Sequence, residues 1–132
     1  FLCAREAMKR MPTKYGGKGG SILNLSSGAA KYGSPGKYVD YAASKAAIDT
    51  LTIGLAREVD EEGIRVNAVR PGFIDTEIHQ SGGEPDRMER VRPLVPMKRV
   101  GQAEEVADAI MWLLSDKSSY ITGTILDVSG GR

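Results

Sequence analysis

Hydrophobic and polar residues follow two spacings along the chain, one typical of short buried strands and one typical of helices. Runs rich in strand-forming apolar residues predict three strands, and longer segments with helical spacing predict three helices. After the first helix the order is strand, helix, strand, helix, strand, which predicts an α/β fold with a parallel sheet and right-handed crossovers. The predicted helices cover residues 1–11, 38–62 and 102–115, and the predicted strands cover residues 21–26, 64–69 and 124–128.

The helices differ in how much of their surface is apolar. Residues 42–56 of the long helix are small and apolar on most faces, which predicts burial on more than one side, against the sheet and against another subunit. In the last helix an apolar stripe is predicted to face the core, and Trp112 is expected in the core or in a subunit interface. We expect Cys3 to be a small buried residue. The stripe consists of Val106, Ile110, Leu113 and Leu114.

Three connections are rich in glycine or proline. Residues 13–20 contain four glycines and are predicted to form a flexible surface turn, and residues 27–37 are predicted to form a loop. After Pro71 and Gly72 about 30 residues pass before the next predicted helix. A connection of that length is usually either functional, such as a lid, or disordered.

Composition and charge exclude several classes of protein. Among the 132 residues, 18 lysines and arginines nearly balance 17 aspartates and glutamates, so no basic field favours nucleic acid or an anionic membrane surface. No apolar run approaches the roughly 20 residues that a membrane-spanning helix needs. The single cysteine cannot form an internal disulfide, which fits a reducing compartment, and we expect a cytoplasmic protein.

The first residue is Phe1, and no serine, threonine, aspartate or asparagine precedes the first helix to cap it. The chain is therefore expected to begin inside a helix and to be a piece of a longer protein.

Three side chains are candidates for acid–base chemistry. Tyr41 and Lys45 lie four residues apart on the long helix and so share one face. A lysine ammonium stabilises a nearby phenolate, which lets the phenol donate or accept a proton near neutral pH. Ser27 follows the first strand at its carboxyl end, where ligands of open parallel sheets gather. The alternative interpretation is that Tyr41 and Lys45 form a solvated helix face and that Ser27 belongs to an ordinary turn.

Four motifs together resemble the short-chain dehydrogenase/reductase family in order and in spacing. They are Asn24-Leu25-Ser26-Ser27, Tyr41-Ala42-Ala43-Ser44-Lys45, Ile64-Arg65-Val66-Asn67-Ala68-Val69-Arg70-Pro71-Gly72 and Ile121-Thr122-Gly123. The resemblance runs over the whole chain. It implies an α/β fold that is the C-terminal half of a Rossmann-type doubly wound parallel sheet. Residues 1–132 would be a partial NAD(P)-binding domain, namely the catalytic half of that domain.

The resemblance also implies a function for the candidate residues. The protein would transfer a hydride between NAD or NADP and a carbonyl or secondary alcohol, with Tyr41 as the general acid/base. Lys45 would assist Tyr41 and bind the nicotinamide ribose, and Ser27, rather than its neighbour Ser26, would polarise the substrate carbonyl. Residues 77–98 would form the substrate lid, and the protein would be a homo-oligomer, most commonly a tetramer. The cofactor would be held by Tyr41, Lys45, Pro71, Gly72, Ile74 and Thr76.

Parts of the family pattern are missing from this chain. It contains no strand followed by Thr-Gly-x-x-x-Gly-x-Gly, the glycine-rich loop that binds the cofactor pyrophosphate, and residues 16–20 do not replace it because they precede a strand. The Asn-Ala-Gly motif and the helix asparagine of the proton relay are absent as well. The cofactor therefore stays open between NAD and NADP, and the substrate is not specified beyond its class.

Two other functions are weighed against the oxidoreductase. The first is a catalytically inactive half-domain, or an assembly module, that lacks a cofactor site. The second is a hydrolase with Ser27 as nucleophile, which lacks an evident general base. His79 is the only histidine, so a histidine-based metal cluster is not expected.

Overall fold

The computed structural model of the chain describes residues 1–78, 83–84 and 86–132. The α-helices are α1 (Leu2–Ala7), α2 (Ala29–Tyr32), α3 (Val39–Val59), α4 (Arg87–Val91) and α5 (Ala103–Leu114). The strands are β1 (Gly20–Leu25), β2 (Ile64–Pro71), β3 (Ile74–Asp75), β4 (Gly101–Gln102) and β5 (Ile125–Val128).

The sheet is parallel, as predicted. Its strands lie in the order β1-β2-β5, with Gly20 opposite Ile64 at one end of the first pair and Leu25 opposite Val69 at the other. A second, two-stranded parallel pair joins β3 to β4. The sequence did not predict this pair because each strand has only two residues, too few to show a strand periodicity.

Alternate residues of β2 face two different helical layers. Ile64 and Val66 pack with Ala56 and Val59 of α3, whereas Val69 packs on the other face with α5, whose Val106 and Leu113 are buried there. Helices therefore cover both faces of the sheet, which confirms the doubly wound arrangement and places the carboxyl ends of β1, β2 and β5 at one edge of the sheet.

Polar residues on the α5 face of β2 are satisfied by backbone groups. The guanidinium of Arg65 donates to the carbonyl oxygens of Leu113 at 2.9 Å and Ser115 at 3.1 Å, near the end of α5. The amide of Asn67 donates to the carbonyl of Ile121 at 2.9 Å. The Arg65 contacts bind carbonyl groups that the end of α5 leaves without intrahelical partners, and so they join α5 to the sheet.

Within the single chain, helix α3 is buried on one side, against the sheet, as predicted for that side. The sheet covers one face of the helix, and in a single chain no described element packs against the opposite face. The buried residues are Ala42, Asp49, Thr52, Ala56 and Val59, and the exposed ones include Ala43, Ala47, Thr50, Ile53 and Gly54. Coverage of the second face by another subunit stays a prediction.

Two predictions of burial are wrong, and a third keeps only one of its two alternatives. Cys3 is exposed, because only the later part of the first helical segment, through Met8 and Met11, reaches the core. Leu114 is exposed because it lies past the edge of the stripe that faces the sheet. Trp112 is 42% exposed and so is not a core residue, which leaves the subunit interface as its predicted environment.

Two connections contain more structure than their composition predicts. The predicted loop at residues 27–37 includes α2, which ends at Gly33 in the left-handed region. Residues 16–20 form a tightly hydrogen-bonded joint rather than a flexible turn. Gly19 donates to the carbonyl of Met11 and Gly20 to that of Gly63, each at 2.9 Å, and a Cβ at Gly19 would lie 2.3 Å from the Gly63 oxygen.

The predicted lid, residues 77–98, contains α4 and a turn of 3-10 helix at Arg92–Leu94. His79 lies outside the described residues. No helix among the described residues is long and apolar enough to cross a membrane.

Candidate active site

Ser26 and Ser27 follow β1 directly, at the carboxyl end of the strand. Ser26 is buried, and its hydroxyl donates to the carbonyl oxygen of Lys45 on α3 at 3.3 Å. Its backbone N–H donates to the carbonyl of Val69 on β2 at 2.9 Å. Ser26 therefore joins the strand end to the helix, which is a structural role.

Ser27 is half-buried, and its hydroxyl oxygen accepts a hydrogen bond from the backbone N–H of Ala29 at 3.2 Å. This is the local contact that the turn interpretation predicts. A hydroxyl can donate as well as accept, and the Ser27 hydroxyl donates to no group among the described residues. The turn contact therefore fixes the position of the Ser27 oxygen and does not use its proton.

Tyr41 and Lys45 lie on one face of α3, beside the end of β1. The ammonium of Lys45 donates to the carbonyl oxygen of Leu25 at 2.9 Å and lies 5.7 Å from the centroid of the Tyr41 ring. The Tyr41 side chain is 44% exposed. The structure thus places a reachable phenol and an ammonium at the strand end that carries Ser27.

Pro71 ends β2, and Gly72 follows it. The carbonyl of Pro71 accepts from the backbone N–H of Gly28 at 3.0 Å, and the N–H of Gly72 donates to the carbonyl of Val128 at 2.9 Å. The Pro71–Gly72 turn is therefore held between the segment that carries Ser27 and the end of β5. At Gly72 an added Cβ would lie 2.8 Å from the Cα of Ser129, so the glycine is required here by the close approach of β5.

Ile74 and Thr76 lie on the segment that leaves the Pro71–Gly72 turn. Ile74 begins β3 and is half-buried, and Thr76 is exposed. Both residues therefore lie near the sheet edge that carries the other candidates. The lid begins immediately afterwards.

Glu84, a carboxylate in the predicted lid, is hydrogen-bonded to the segment that precedes Tyr41. Glu84 accepts hydrogen bonds from Lys37, from the Tyr38 hydroxyl at 3.3 Å and from Arg90 at 2.6 Å. The Lys37 ammonium, followed by Arg90, holds the pKa of Glu84 at about 2, well below its ordinary 4.5. Glu84 of the predicted lid is thus held by hydrogen bonds and ion pairs next to the start of α3.

Sequence reasoning missed a network of four charged side chains beneath the same sheet edge. Asp49 on α3 accepts two hydrogen bonds from Arg70 on β2, which also contacts Asp127 on β5, and Asp127 pairs with Lys31 on α2. A signal was present. Asp49 is the single acidic residue within the apolar part of the long helix, residues 42–56, and such a residue needs a partner when it is buried.

A cavity of about 510 Å³ opens on the far side of the Pro71–Gly72 turn, between the ends of β5 and β4. Its lining includes Phe73, Met97, Asp127 and Arg132, together with Ile74 from the predicted set. Ser27, Tyr41 and Lys45 do not line it. Tyr41 is exposed outside this cavity, whereas Ser27 and Lys45 are half-buried.

The residues present fit the nicotinamide end of a dinucleotide. A phenol and an ammonium can hydrogen-bond ribose hydroxyls, and both side chains lie at the carboxyl ends of parallel strands, where such ligands bind. Among the described residues there is no group of three or more histidine, cysteine, aspartate or glutamate side chains that could hold a metal ion.

Comparison with known proteins gives a match over the whole chain. The model of a family described as Enoyl-(Acyl carrier protein) reductase matches residues 1–132. The uncharacterized oxidoreductase YgfF of Escherichia coli (strain K12) is 67% identical over 132 residues, which are 100% of this chain and 53% of that protein. The 3-oxoacyl-[acyl-carrier-protein] reductase FabG of Chlamydia trachomatis is 46% identical over 86% of this chain and 45% of its own length.

A solved structure is similar as well. The crystal structure of a 3-oxoacyl-[acyl-carrier protein] reductase with bound NAD from Brucella melitensis has a TM-score of 0.74 and 44% identity, and the match covers 84% of this chain and 40% of that one. The chain spans about half the length of the curated relatives it matches.

Proposed function

Since the chain belongs to the short-chain dehydrogenase/reductase family, we propose that it carries the catalytic side chains of an NAD(P)-dependent oxidoreductase that interconverts a carbonyl and a secondary alcohol. One observation carries the proposal. An exposed phenol, Tyr41, stands beside the ammonium of Lys45, and that ammonium is anchored to the end of β1 by its hydrogen bond to Leu25.

Tyr41 is the proton donor and acceptor in this proposal. In the direction of reduction, the phenol Oη gives its proton to the substrate oxygen as that oxygen becomes a hydroxyl. In the direction of oxidation, the phenolate takes the proton back. The ammonium of Lys45 stabilises the phenolate, and its anchoring to the Leu25 carbonyl fixes the charge close to the ring.

Ser27 orients the substrate. Its hydroxyl oxygen is held by the N–H of Ala29, and its proton is directed to the substrate oxygen, where negative charge develops. A donor placed before the reaction lowers the barrier because it does not have to reorganise as the charge appears.

The cofactor, when bound, supplies the hydride to the substrate carbon or accepts it from that carbon. Hydroxyl groups of the nicotinamide ribose would be held by Tyr41 and Lys45. The turn at Pro71 and Gly72, the Ile74 backbone and the Thr76 hydroxyl would bind the nicotinamide. The relative of known structure with bound NAD supports NAD as the first cofactor to test, with NADP beside it.

A thioester of a 3-oxoacid is the first substrate to test, since one relative is named a 3-oxoacyl-[acyl-carrier-protein] reductase. The part of the lid that the structure describes fits an apolar chain, because Leu94 and Met97 expose 60% of their surface. We therefore propose a carbonyl compound or an alcohol as the substrate class, and a 3-oxoacyl thioester as the specific candidate within it.

A second candidate function is an assembly module without catalytic activity, and the exposed side of α3 is the observation that favours it. In that case the exposed side of α3 would form the subunit interface. We expect it to pair copies of the protein into a homo-oligomer, namely a tetramer.

The replacement of Tyr41 by Phe tests the enzyme proposal. The full open reading frame that encodes this chain is expressed, and oxidation of NADH and NADPH is followed with a panel of carbonyl compounds. Tyr41→Phe keeps the ring but removes the transferable proton, so turnover should fall ~10²–10⁴-fold. Cofactor affinity, measured by fluorescence titration, should stay within about tenfold, since the variant can lose at most one phenol hydrogen bond to the cofactor, worth about 0.5–1.5 kcal/mol.

The matched control is Tyr120→Phe, because Tyr120 is fully exposed beside the turn that follows α5. It should keep the activity of the parent protein. A Tyr41→Phe enzyme with more than half of that activity would contradict the proposal. If the parent protein shows no turnover with any carbonyl compound, the assembly module is favoured.

A further inference from the structure

We infer that Arg70 is a positioning residue that holds the elements carrying Ser27, Tyr41 and Lys45 in register with the Pro71–Gly72 turn. The inference rests on the proposed function and assigns a role to a side chain that does not itself touch the reacting atoms. It is carried by the hydrogen bonds that radiate from one guanidinium.

The first contact leads to the helix that carries Tyr41 and Lys45. Nε and Nη2 of Arg70 donate to Oδ2 of Asp49 at 3.0 and 2.8 Å. Asp49 is only 7% exposed and lies on α3 one turn after Lys45 and two turns after Tyr41. The contact therefore joins the α3 face that carries both side chains to the end of β2.

The second contact leads across the sheet to α2. Arg70 lies directly opposite Asp127 in the parallel register, and its Nη1 lies 3.4 Å from the Asp127 carboxylate. The other carboxylate oxygen of Asp127 accepts from Lys31 at 2.9 Å. Lys31 lies on α2, four residues after Ser27, so the chain of charges reaches the segment that orients the Ser27 hydroxyl.

Arg70 directly precedes the Pro71–Gly72 turn. The next residue is Pro71, whose carbonyl accepts from Gly28 in the Ser27 segment at 3.0 Å. Arg70 thus holds α3 and α2 through its side chain, and its backbone leads into the turn. A shift of the guanidinium would move several of the proposed reacting groups relative to one another.

The electrostatics favour this one arrangement. Burial opposes the charge of Arg70, but hydrogen bonds and attraction from Asp49, followed by Asp127, outweigh it and raise the pKa of Arg70 above its ordinary value. Asp49 Oδ1 is buried and has no hydrogen-bond partner within the described part of the chain. The charge of Asp49 is therefore compensated through Arg70, and the planar guanidinium binds both carboxylates in a way that a lysine ammonium cannot copy.

The test compares Arg70→Lys with Arg65→Lys in the protein from the full open reading frame. Both changes keep the charge and remove a guanidinium fork from β2. Arg65 points to the opposite face of the sheet, toward the end of α5, and has no part in the proposed site. Hydrogen exchange of backbone amides and steady-state kinetics are measured for both variants.

In Arg70→Lys we expect faster exchange at the amides of Gly28 and Gly72, which form the hydrogen bonds to Pro71 and Val128. We expect kcat to fall by as much as about 10²-fold, the scale that a displacement of about 1 Å in a reacting geometry can produce. KM should change much less, because the interaction acts on the alignment in the transition state. In Arg65→Lys we expect faster exchange at residues 113–121 and little change in kcat.

Equal losses of kcat in the two variants, or unchanged exchange at Gly28 and Gly72, would overturn the inference. If Arg70→Lys does not fold, Asp127→Ala decides by the same exchange measurement, since it removes only the half-exposed arm of the network. A parent protein without turnover would count against the proposed enzyme, whereas the exchange result would still test Arg70 by itself.

Discussion

Replacing Gly72 by alanine tests directly how closely the Pro71–Gly72 turn must approach β5. The new Cβ would lie 2.8 Å from the Cα and 2.9 Å from the Cβ of Ser129. Carbon atoms pack at ~3.5 Å or more, so the two segments would have to separate by roughly 0.7 Å. The obstacle at Ser129 includes backbone atoms, which cannot rotate away as the end of a long side chain could.

The expected loss of unfolding free energy can be worked out from the contacts that this separation would disturb. The hydrogen bond from Gly72 to the Val128 carbonyl, 2.9 Å long, joins the same two segments and would lengthen. Forced overpacking of this kind costs typically 1–3 kcal/mol of unfolding free energy. If the turn gives way instead of β5, it moves by a distance that can lower kcat by up to about 10²-fold.

Urea unfolding followed by circular dichroism measures the cost in stability, and Gly28→Ala is the matched control. At Gly28 the backbone φ is −53°, and an added Cβ would meet its nearest neighbours at 3.5 Å, an ordinary contact distance. We expect the control to be neutral or more stable by ~0.4–1 kcal/mol, because alanine restricts the unfolded chain. Equal unfolding free energies for Gly72→Ala and the parent protein would refute the close-approach argument.

Four further predictions concern other parts of the molecule. Lys45→Met should move the pH–rate curve of alcohol oxidation to higher pH and weaken cofactor binding, because the ammonium beside Tyr41 is lost. If the pH–rate curve and the cofactor affinity are unchanged, Lys45 has no role in the site. Arg99, followed by the backbone N–H of Gln102, lowers the pKa of Glu105 from 4.5 to about 2, so its carboxylate stabilises the folded chain fully above pH 4.5 and loses that effect as the pH falls toward 2. The urea midpoints of Glu105→Gln and the parent should therefore differ at pH 7 and converge near pH 2, and a constant difference would contradict the assignment. Light scattering of the full gene product should show an oligomer that Gly54→Ala weakens, because the methyl group enters the exposed face of α3; a clean monomer of the parent protein at micromolar concentration would count decisively against assembly. The isolated 132 residues should bind neither NADH nor NADPH tightly in calorimetric titration, and a micromolar Kd would refute that expectation.

The sequence predicted the main sheet because its strands and helices are long enough to show their periods. Residues 64–69 alternate between two helical layers, and the helices between the strands require a parallel order. The pair formed by β3 and β4 was not predictable in this way, since a strand of two residues has no pattern. Burial at helix ends was also uncertain, because Cys3 and Leu114 depend on where neighbouring elements stop.

The candidate site was predictable to the extent that it depends on local spacing. Tyr41 and Lys45 must share a face because they lie one helical turn apart, and the position of Ser27 follows from the strand before it. The contacts of Arg70 were not predictable, because its partners, Asp49 and Asp127, are far away in sequence. Only the folded structure shows that the buried carboxylate of Asp49 on α3 accepts hydrogen bonds from Arg70 at the end of β2.

The joint at residues 16–20 has a consequence for protein engineering. By composition, a segment with four glycines among five residues is an attractive place to insert a tag, cut the chain or open it for circular permutation. Insertions succeed where the backbone is exposed and makes few hydrogen bonds, and here Gly19 and Gly20 donate to Met11 and Gly63 in a contact too close for any side chain at Gly19. Tyr120 is fully exposed in the turn that follows α5, so a change confined to that residue is the better starting point.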